Sequence, residues 1–353
     1  MKRSSYKINI GLVGCGQVAW ERHLPALKKI PQAEVVAVAD IDKEQAQKVA
    51  RQFGIPRHYI GHDALLADGK VDAVGILTPP DSHVDIATAA LKAQKHVLIE
   101  KPLALTPGAC DQLIAQNLAY RKQVVLCHNL RWHRLIREAK HFINTGALGE
   151  VKFIHSTYTH NRKEEIVPDW KRALSLGGGI TFHEGIHHFD MWRYLLGQEV
   201  QQVFAFHRDS QWFEDETSIV CAELTGGVLA SLCSTYKSGP NSEVEIYGAC
   251  GRLFISCYRF DGLEFYPAAT YPGNVRDRFK RGLRTIRQFP KLIPVIRRGG
   301  DFADSFYGIW CHFINCIRLD SEPECTLEDG KRAIQIARGA ELAFLSDKPA
   351  RIT

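Results

Sequence analysis

The spacing of apolar and polar positions outlines an α/β first half of the chain. Lys7–Leu12 (KINIGL) is a short β-prone run that enters a glycine-rich turn, and a helical pattern follows to about Lys29. Glu34–Asp40 (EVVAVAD) is an apolar strand, Lys43–Phe53 is helical in pattern, and Asp63–Leu66 begins another short helix. Val71–Leu77 is a strand of buried type that stops at Thr78-Pro79-Pro80, and Asp81–Ala93 is helical. His96–Ile99 is a strand that stops at Glu100-Lys101-Pro102, and Val124–Cys127 adds another. These runs lack strict alternation, which predicts parallel strands covered on both faces. Ligands of such sheets lie beyond the strand C-termini, where Thr78, Pro79, Glu100 and Lys101 fall. Lys101 precedes a proline, which keeps it extended.

The turn after the first strand reads Val13-Gly14-Cys15-Gly16-Gln17-Val18-Ala19, a G-x-G-x-x-A pattern. One glycine lets the chain turn sharply from strand to helix, and the second lets the backbone approach a pyrophosphate. A small third residue, Ala19, permits close packing of helix on strand, and the helix start supplies N–H groups to phosphate. Asp40 ends the next strand, where an acid accepts the ribose hydroxyls of an adenosine. A carboxylate there repels a 2′-phosphate, and Ile41 and Asp42 offer no cation to attract one, so NAD is expected over NADP. The strand, turn, helix, strand and acid together predict a dinucleotide site, against the alternative of an ordinary βα turn.

Composition narrows the class. At 353 residues the chain is long enough for about two domains, and 45% hydrophobic with 24% charged residues is ordinary globular composition. Ten cysteines are scattered without a C-x-x-C pair, which reads as buried thiols in a reducing compartment. The basic start lacks an A-x-A-like cleavage site, and a cytoplasmic location is expected. The net charge of +6 is unevenly placed. Residues 271–300 hold nine basic residues (Arg276, Arg278, Lys280, Arg281, Arg284, Arg287, Lys291, Arg297, Arg298) and one acid, Asp277, a local +8 that leaves −2 for the remainder. Val275, Phe279, Leu283, Ile286 and Phe289 recur at helical spacing there, which predicts an amphipathic basic helix ending near Pro290 or Pro294. A solvated helix laid over the second-domain sheet is its first reading. A peripheral membrane contact comes next, then a contact with the diphosphate of a nucleotide sugar. Nucleic acid comes last, because no recognition motif accompanies the charge.

His183-Glu184-Gly185-Ile186-His187 is H-E-x-x-H, the zinc-hydrolase spacing when it lies on a helix. Gly185 within it and Gly177-Gly178-Gly179 before it are poor for that helix, and no metal is expected. A zinc hydrolase built on His183, Glu184 and His187 is one alternative function. A non-catalytic nucleotide-binding protein is the other.

GLVGCGQVA, TPPDSH and EKPLA, in this order, resemble the glucose–fructose oxidoreductase/inositol dehydrogenase/MocA family of nicotinamide-dependent oxidoreductases. LCHNLRWH, GALGEV and GGGITFHEGIHHFDMWRYLLG continue the likeness over nearly the whole chain. The resemblance implies a Rossmann domain over residues 1–125. It implies a second, α+β domain over 126–353 with an open, mostly antiparallel sheet that serves as substrate wall and oligomer interface, and a C-terminal helix near Lys331–Leu345 packing back toward the first domain. A homodimer or homotetramer is therefore expected. The cofactor residues expected are Gly14, Gly16, Gln17, Val18, Asp40, Thr78, Pro79, His83, Glu100 and Lys101. Lys101 matches the family's catalytic lysine, and His187 the histidine of its usual Asp-x-x-x-His pair, the two that in the family flank the oxidised carbinol. The usual Asp is His183 here, a departure that bears on specificity and on the identity of the base. Arg131, Trp170 and Arg172 are candidate substrate residues, with Asn129, Tyr158, Asn161 and Lys171 near them. The implied reaction is hydride transfer between NAD and a secondary alcohol or ketone of a sugar, cyclitol or nucleotide sugar. Lys101 and His187 count against the non-catalytic alternative.

Overall fold

Six strands of the first half pair in parallel throughout; five are the unalternating apolar runs read in the sequence, and the sixth, Arg57–Ile60, is a polar, alternating edge strand that the sequence reading missed. The elements are β1 (Ile8–Val13), α1 (Leu24–Leu27), β2 (Ala33–Asp40), α2 (Lys43–Phe53), β3 (Arg57–Ile60) and α3 (His62–Leu66). They continue through β4 (Ala73–Ile76), α4 (His83–Lys92), β5 (His96–Glu100), α5 (Pro107–Tyr120) and β6 (Val124–Cys127). This computed structural model describes residues 6–163, 167–269 and 274–352, and ten side chains between 277 and 292 lie outside what it describes. The order β3-β2-β1-β4-β5-β6 reverses direction between β1 and β4. That switch is where an open parallel sheet leaves a crevice at its C-terminal edge. Ile10, Leu12, Val38, Val74, Ile76, Leu98 and Leu126 are fully buried along it.

One local difference from the sequence reading falls beside the glycine turn. Ala19–His23 is wound with i→i+5 bonds, Leu24 N–H reaching the Ala19 carbonyl, before α1 begins. Pro25 carries no N–H for an ordinary i→i−4 bond, and the turn ahead of it takes the wider winding.

The chain divides into two compact units, Met1–Asn129 with Phe306–Ile334, and Leu130–Ser305 with Gln335–Thr353. The second unit holds α6 (Arg134–Asn144), β7 (Val151–Asn161), α7 (Ile186–Leu196), β8 (Val200–Arg208), β9 (Thr217–Leu224) and β10 (Leu229–Thr235). Next come β11 (Lys237–Gly248), β12 (Gly251–Ser256), β13 (Leu263–Pro267) and α8 (Val275–Arg297). Helices α9 (Asp301–Leu319) and α10 (Leu327–Ser346) cross the division in the chain, and β14 (Ala350–Arg351) closes it. In the first unit α9 sets Trp310 against Gly75, and Lys331 of α10 pairs with Asp111 at 2.6 Å. In the second, Arg338 of α10 lies over the Phe182 ring, 4.4 Å from its centroid.

Eight strands of the second unit form a sheet ordered β13-β12-β11-β7-β10-β9-β8-β14. Only β7 and β10 run parallel, and all other pairs are antiparallel. Here the alternation is clean. Ile154, Leu232, Val220, Val244 and Ile246 are buried on one face, whereas Phe153, Phe206, Ile219 and Leu229 are exposed on the other. The basic segment forms α8, but it does not stop at Pro290 or Pro294. The two prolines sit four apart and therefore on one side, so the missing N–H groups leave the ladder on the opposite side intact to Arg297. Among the side chains expected on this helix, those of Arg278, Lys280, Arg281, Arg284, Phe289 and Lys291 lie outside the described ones. Among the described residues no helix is long and apolar enough to cross a membrane.

Candidate active site

The dinucleotide half is built at the C-terminal edge of the parallel sheet. Gly14 has φ +96°, and a Cβ on it would stand 2.8 Å from the Leu77 carbonyl, so both backbone conformation and the adjoining strand demand glycine. A Cβ on Gly16 would meet nothing within 4 Å. The absent side chain there opens a cradle at the start of the helical segment, which fits the approach of a pyrophosphate. Gln17 and Val18 follow at the opening of that segment. Asp40 at the end of β2 accepts from Cys15 N–H at 2.7 Å and from Asp42 N–H at 3.0 Å. It thereby ties the strand end to the glycine turn, and it remains half-buried and in reach of a ligand. Burial, with the Asp40 charge added, pushes the Cys15 thiol up to about 12, so this cysteine stays protonated.

His83 is fully buried and faces two carbonyl oxygens, Thr78 O and Pro102 O, each at 2.8 Å. Burial lowers its pKa, and a neutral ring donates to one of them at a time. It is a strut between the loops after β4 and β5. Ser82 Oγ donates to Pro79 O at 2.9 Å and bonds the Thr78 hydroxyl at 2.7 Å, which fixes the first of those loops.

Glu100, the last residue of β5, is buried. Trp310 Nε1–H donates to His23 Nδ1 at 3.0 Å, so Nε2 carries the ring proton and donates to Glu100 Oε1 at 2.9 Å. Glu100 Oε2 accepts the backbone N–H of Lys101 at 2.9 Å, and the Cys127 thiol also bonds the carboxylate. Burial opposes the charge, but the His23 bond and the Lys101 ammonium outweigh it and hold the carboxyl below its ordinary value. Burial, then Glu100, pushes the Cys127 thiol well up. His23, Glu100 and Cys127 have metal-ligand types within 4.8 Å of one another, but hydrogen bonds already occupy their donor atoms. Lys101 thus sits at the strand end on a charged, fully bonded support.

The other candidate residues lie in the second unit. His183 falls in Thr181–Gly185, wound with i→i+5 bonds, and His187 in the first turn of α7. Glu184 is engaged elsewhere, as its carboxylate pairs with Arg162, the residue after β7. That ion pair occupies the carboxylate that a zinc hydrolase would need as its general base. Burial opposes the Arg162 charge, but Glu184 outweighs it and raises the guanidinium pKa. Arg162 also lies over the Tyr236 ring, 5.2 Å from its centroid.

A cavity of about 70 Å³ is lined by Tyr158, Glu184, His187, His188, Ser242 and Tyr258, with Leu130, Cys257 and Phe302. His188 shares this cavity with His187. Burial lowers its pKa to about 4, so the ring stays neutral at neutral pH. Trp170 meets His183 edge-on with ring centroids 5.3 Å apart. Arg172 donates to Val167 O at 3.2 Å and lies over Trp212, which ties it to its own loop. Arg131 is buried in a two-pronged pair with Asp190, at 2.8 Å from Nε and 2.5 Å from Nη2. The sequence reading missed Arg162 and the role of Glu184, because their pairing joins a strand to a helix start and leaves no local spacing. The one available signal was an acid at the place where the resemblance leads one to expect an acid one residue earlier.

Asp215 braces the segment that carries His183. Its Oδ2 accepts Thr181 N–H at 2.8 Å, and its Oδ1 is buried without a hydrogen-bond partner. Burial raises this carboxyl from its ordinary 3.8 to about 7. The folded chain therefore holds a proton that the unfolded chain has lost, and the associated stability is full below 3.8 and lost as pH rises through about 7. Asp215→Asn keeps an acceptor for Thr181 and removes this titration. The variant should melt several degrees above the native chain at about pH 8, and nearly with it at about pH 4. Thermal melts at both pH values check this, and an equal difference at both would refute the assignment.

Comparison with known proteins agrees with the geometry. Residues 8–129 match the model of the oxidoreductase family with an NAD-binding Rossmann fold, and residues 136–254 match that of the GFO/IDH/MocA C-terminal domain. The myo-inositol 2-dehydrogenase of Thermotoga maritima is 26% identical over 95% of both chains. A dTDP-3,4-didehydro-2,6-dideoxy-α-D-glucose 3-reductase of Actinomadura kijaniata is 30% identical over 75% of this chain and 77% of its own. Among solved structures, the WlbA dehydrogenase of Bordetella pertussis, in complex with NADH and UDP-GlcNAcA, superposes with a TM-score of 0.82. It is 21% identical, over 99% of this chain and 98% of its own. With its parallel nucleotide domain, its open second sheet and both family models matched in order, the chain belongs to the GFO/IDH/MocA family of NAD-binding oxidoreductases.

Proposed function

We propose that this chain oxidises or reduces one carbinol of a cyclic polyol, in a sugar, a cyclitol or the sugar of a nucleotide sugar, with NAD(H) as hydride partner. The observation that carries this reading is the cavity of the second unit. Tyr158, Glu184, His187, His188, Ser242 and Tyr258 give it a wall of hydrogen-bonding groups suited to hydroxyls, closed by Leu130 and Phe302. The names of the two curated relatives, an inositol dehydrogenase and a dTDP-sugar reductase, support the same substrate class.

Hydride leaves a carbinol carbon only as its hydroxyl loses a proton, and bound NAD supplies the acceptor. His187 takes that proton, as histidine is basic in the right range. The Lys101 ammonium, seated on Glu100, stabilises the oxygen as negative charge develops. His183 steers the substrate, and Glu184, held by Arg162, supplies the carboxylate that its neighbouring position lacks. Gly14, Gly16, Gln17 and Val18 receive the pyrophosphate, while Thr78, Pro79 and Glu100 frame the nicotinamide end. Asp40 takes the adenosine ribose and disfavours the 2′-phosphate of NADP. Ile41, 90% exposed, and Asp42 provide no counter-cation. The exposed apolar row of Phe153, Phe206, Ile219 and Leu229 is the face on which copies of this chain assemble as a homodimer or homotetramer.

A panel of inositols, hexoses and nucleotide sugars, assayed by NADH formation, should yield at least one substrate. Failure of all of them with NADH still bound would overturn the proposed class. With that substrate, His187→Ala and Lys101→Ala should each lower turnover by roughly 10²–10⁴-fold and leave NADH affinity nearly unchanged. A His187→Ala variant at near-native rate would transfer the base role to His183. By calorimetry NADH should bind more tightly than NADPH, and Asp40→Ala should narrow the gap; equal affinities in the native chain would refute the role of Asp40. Light scattering should give a dimer or tetramer mass, and a monomer throughout the micromolar range would remove the assembly face.

A further inference from the structure

We propose that α8 is a membrane-surface helix, which lays its apolar side into the headgroup region of an anionic bilayer while its basic residues meet the lipid phosphates. Asn274 caps its start, Oδ1 accepting Arg276 N–H at 3.0 Å, and the helix runs 23 residues, about 35 Å at 1.5 Å per residue. Its described apolar side chains point away from the rest of the unit. Val275 is 78% exposed, Phe279 69%, Leu283 40%, Ile286 71%, Ile293 43% and Ile296 54%, whereas Val295 is buried. These six recur at steps of three, four or seven residues and so form one stripe. An exposed stripe with this many large apolar side chains is unusual on a water-facing helix.

The charge decides what covers it. Residues 271–300 carry +8 against −2 for the rest of the chain, and Arg276, Arg287 and Arg297 are exposed. A second copy would bring an equal positive charge to the contact, so self-association through this face works against itself. A nucleic acid would use the charge and leave the apolar stripe in water. An anionic lipid surface uses both, since phosphates and serine carboxylates meet the basic side while the acyl boundary receives phenylalanine, leucine and isoleucine. No described helix is apolar enough to span, so the contact is with one leaflet surface.

Co-sedimentation of the full chain with phosphatidylcholine vesicles, with and without phosphatidylserine, tests this directly. Binding should require phosphatidylserine and weaken steeply with added salt, as a contact screened over about 8–10 Å does. The double variant Phe279→Ser/Ile286→Ser, which leaves the charge unchanged, should bind these vesicles at least about tenfold more weakly, while its NADH affinity stays native. Absence of binding to the anionic vesicles would overturn the proposal. So would native-strength vesicle binding by the double variant, which would make the contact one of charge alone. A fall in the light-scattering mass of the double variant would also overturn it, because the stripe would then be an interface between copies.

Discussion

A buried negative charge organises the nucleotide unit. An uncompensated carboxylate inside a protein costs several kcal/mol, so Glu100 can stay ionised only while its partners hold their places. Those partners come from far apart in the chain. His23 arrives from the helical segment after the glycine turn, Cys127 from the end of β6, Trp310 from α9, and the Lys101 N–H from the next residue. One anion therefore fixes together the phosphate-side turn, two strand ends and the position of Lys101. The His83 strut adds the loop after β4 to the same frame. Removal of His23 or Trp310 acts on Lys101 without touching it, through the strand end on which it stands.

The second unit solves a related problem with a pair. Glu184 and Arg162 bury opposite charges beside three histidines, and Tyr158 and Tyr236 pack around them. Burial pushes both tyrosine hydroxyls upward, so they remain proton donors as well as acceptors. Arg131 and Asp190 form a second buried pair, and with both prongs satisfied it is a brace.

The sequence made much of this readable, and the limits have physical causes. Gly14, Ala19 and Asp40 could be placed because the turn, the close packing and the strand-end acid are all local requirements with a fixed spacing. The parallel sheet followed from apolar runs that do not alternate. The open second sheet came from the family resemblance. Long-range partners were invisible. Nothing in the spacing joins His23 to Trp310, or Arg162 to Glu184, because such pairs are set only when distant elements pack. Likewise no spacing in the sequence announces the i→i+5 winding of Thr181–Gly185. On α8 the prolines were read as stops, although two prolines on one side leave the rest of the ladder standing.

The division of the chain has a bearing on how the protein is made. The nucleotide unit is discontinuous, its first 129 residues being separated from Phe306–Ile334 by most of the second unit. During synthesis the six parallel strands leave the ribosome long before Trp310 does. Until then His23 lacks the indole that fixes its tautomer, and the Gly75 face of the sheet lacks its cover. The nascent nucleotide unit must wait, with its buried anion half-supported, while the inserted unit emerges. β14 comes last of all, joining the edge of the second sheet at β8. Both units draw on residues after Ser305, so a chain cut there would leave the nucleotide unit without Trp310 and the second sheet without β14.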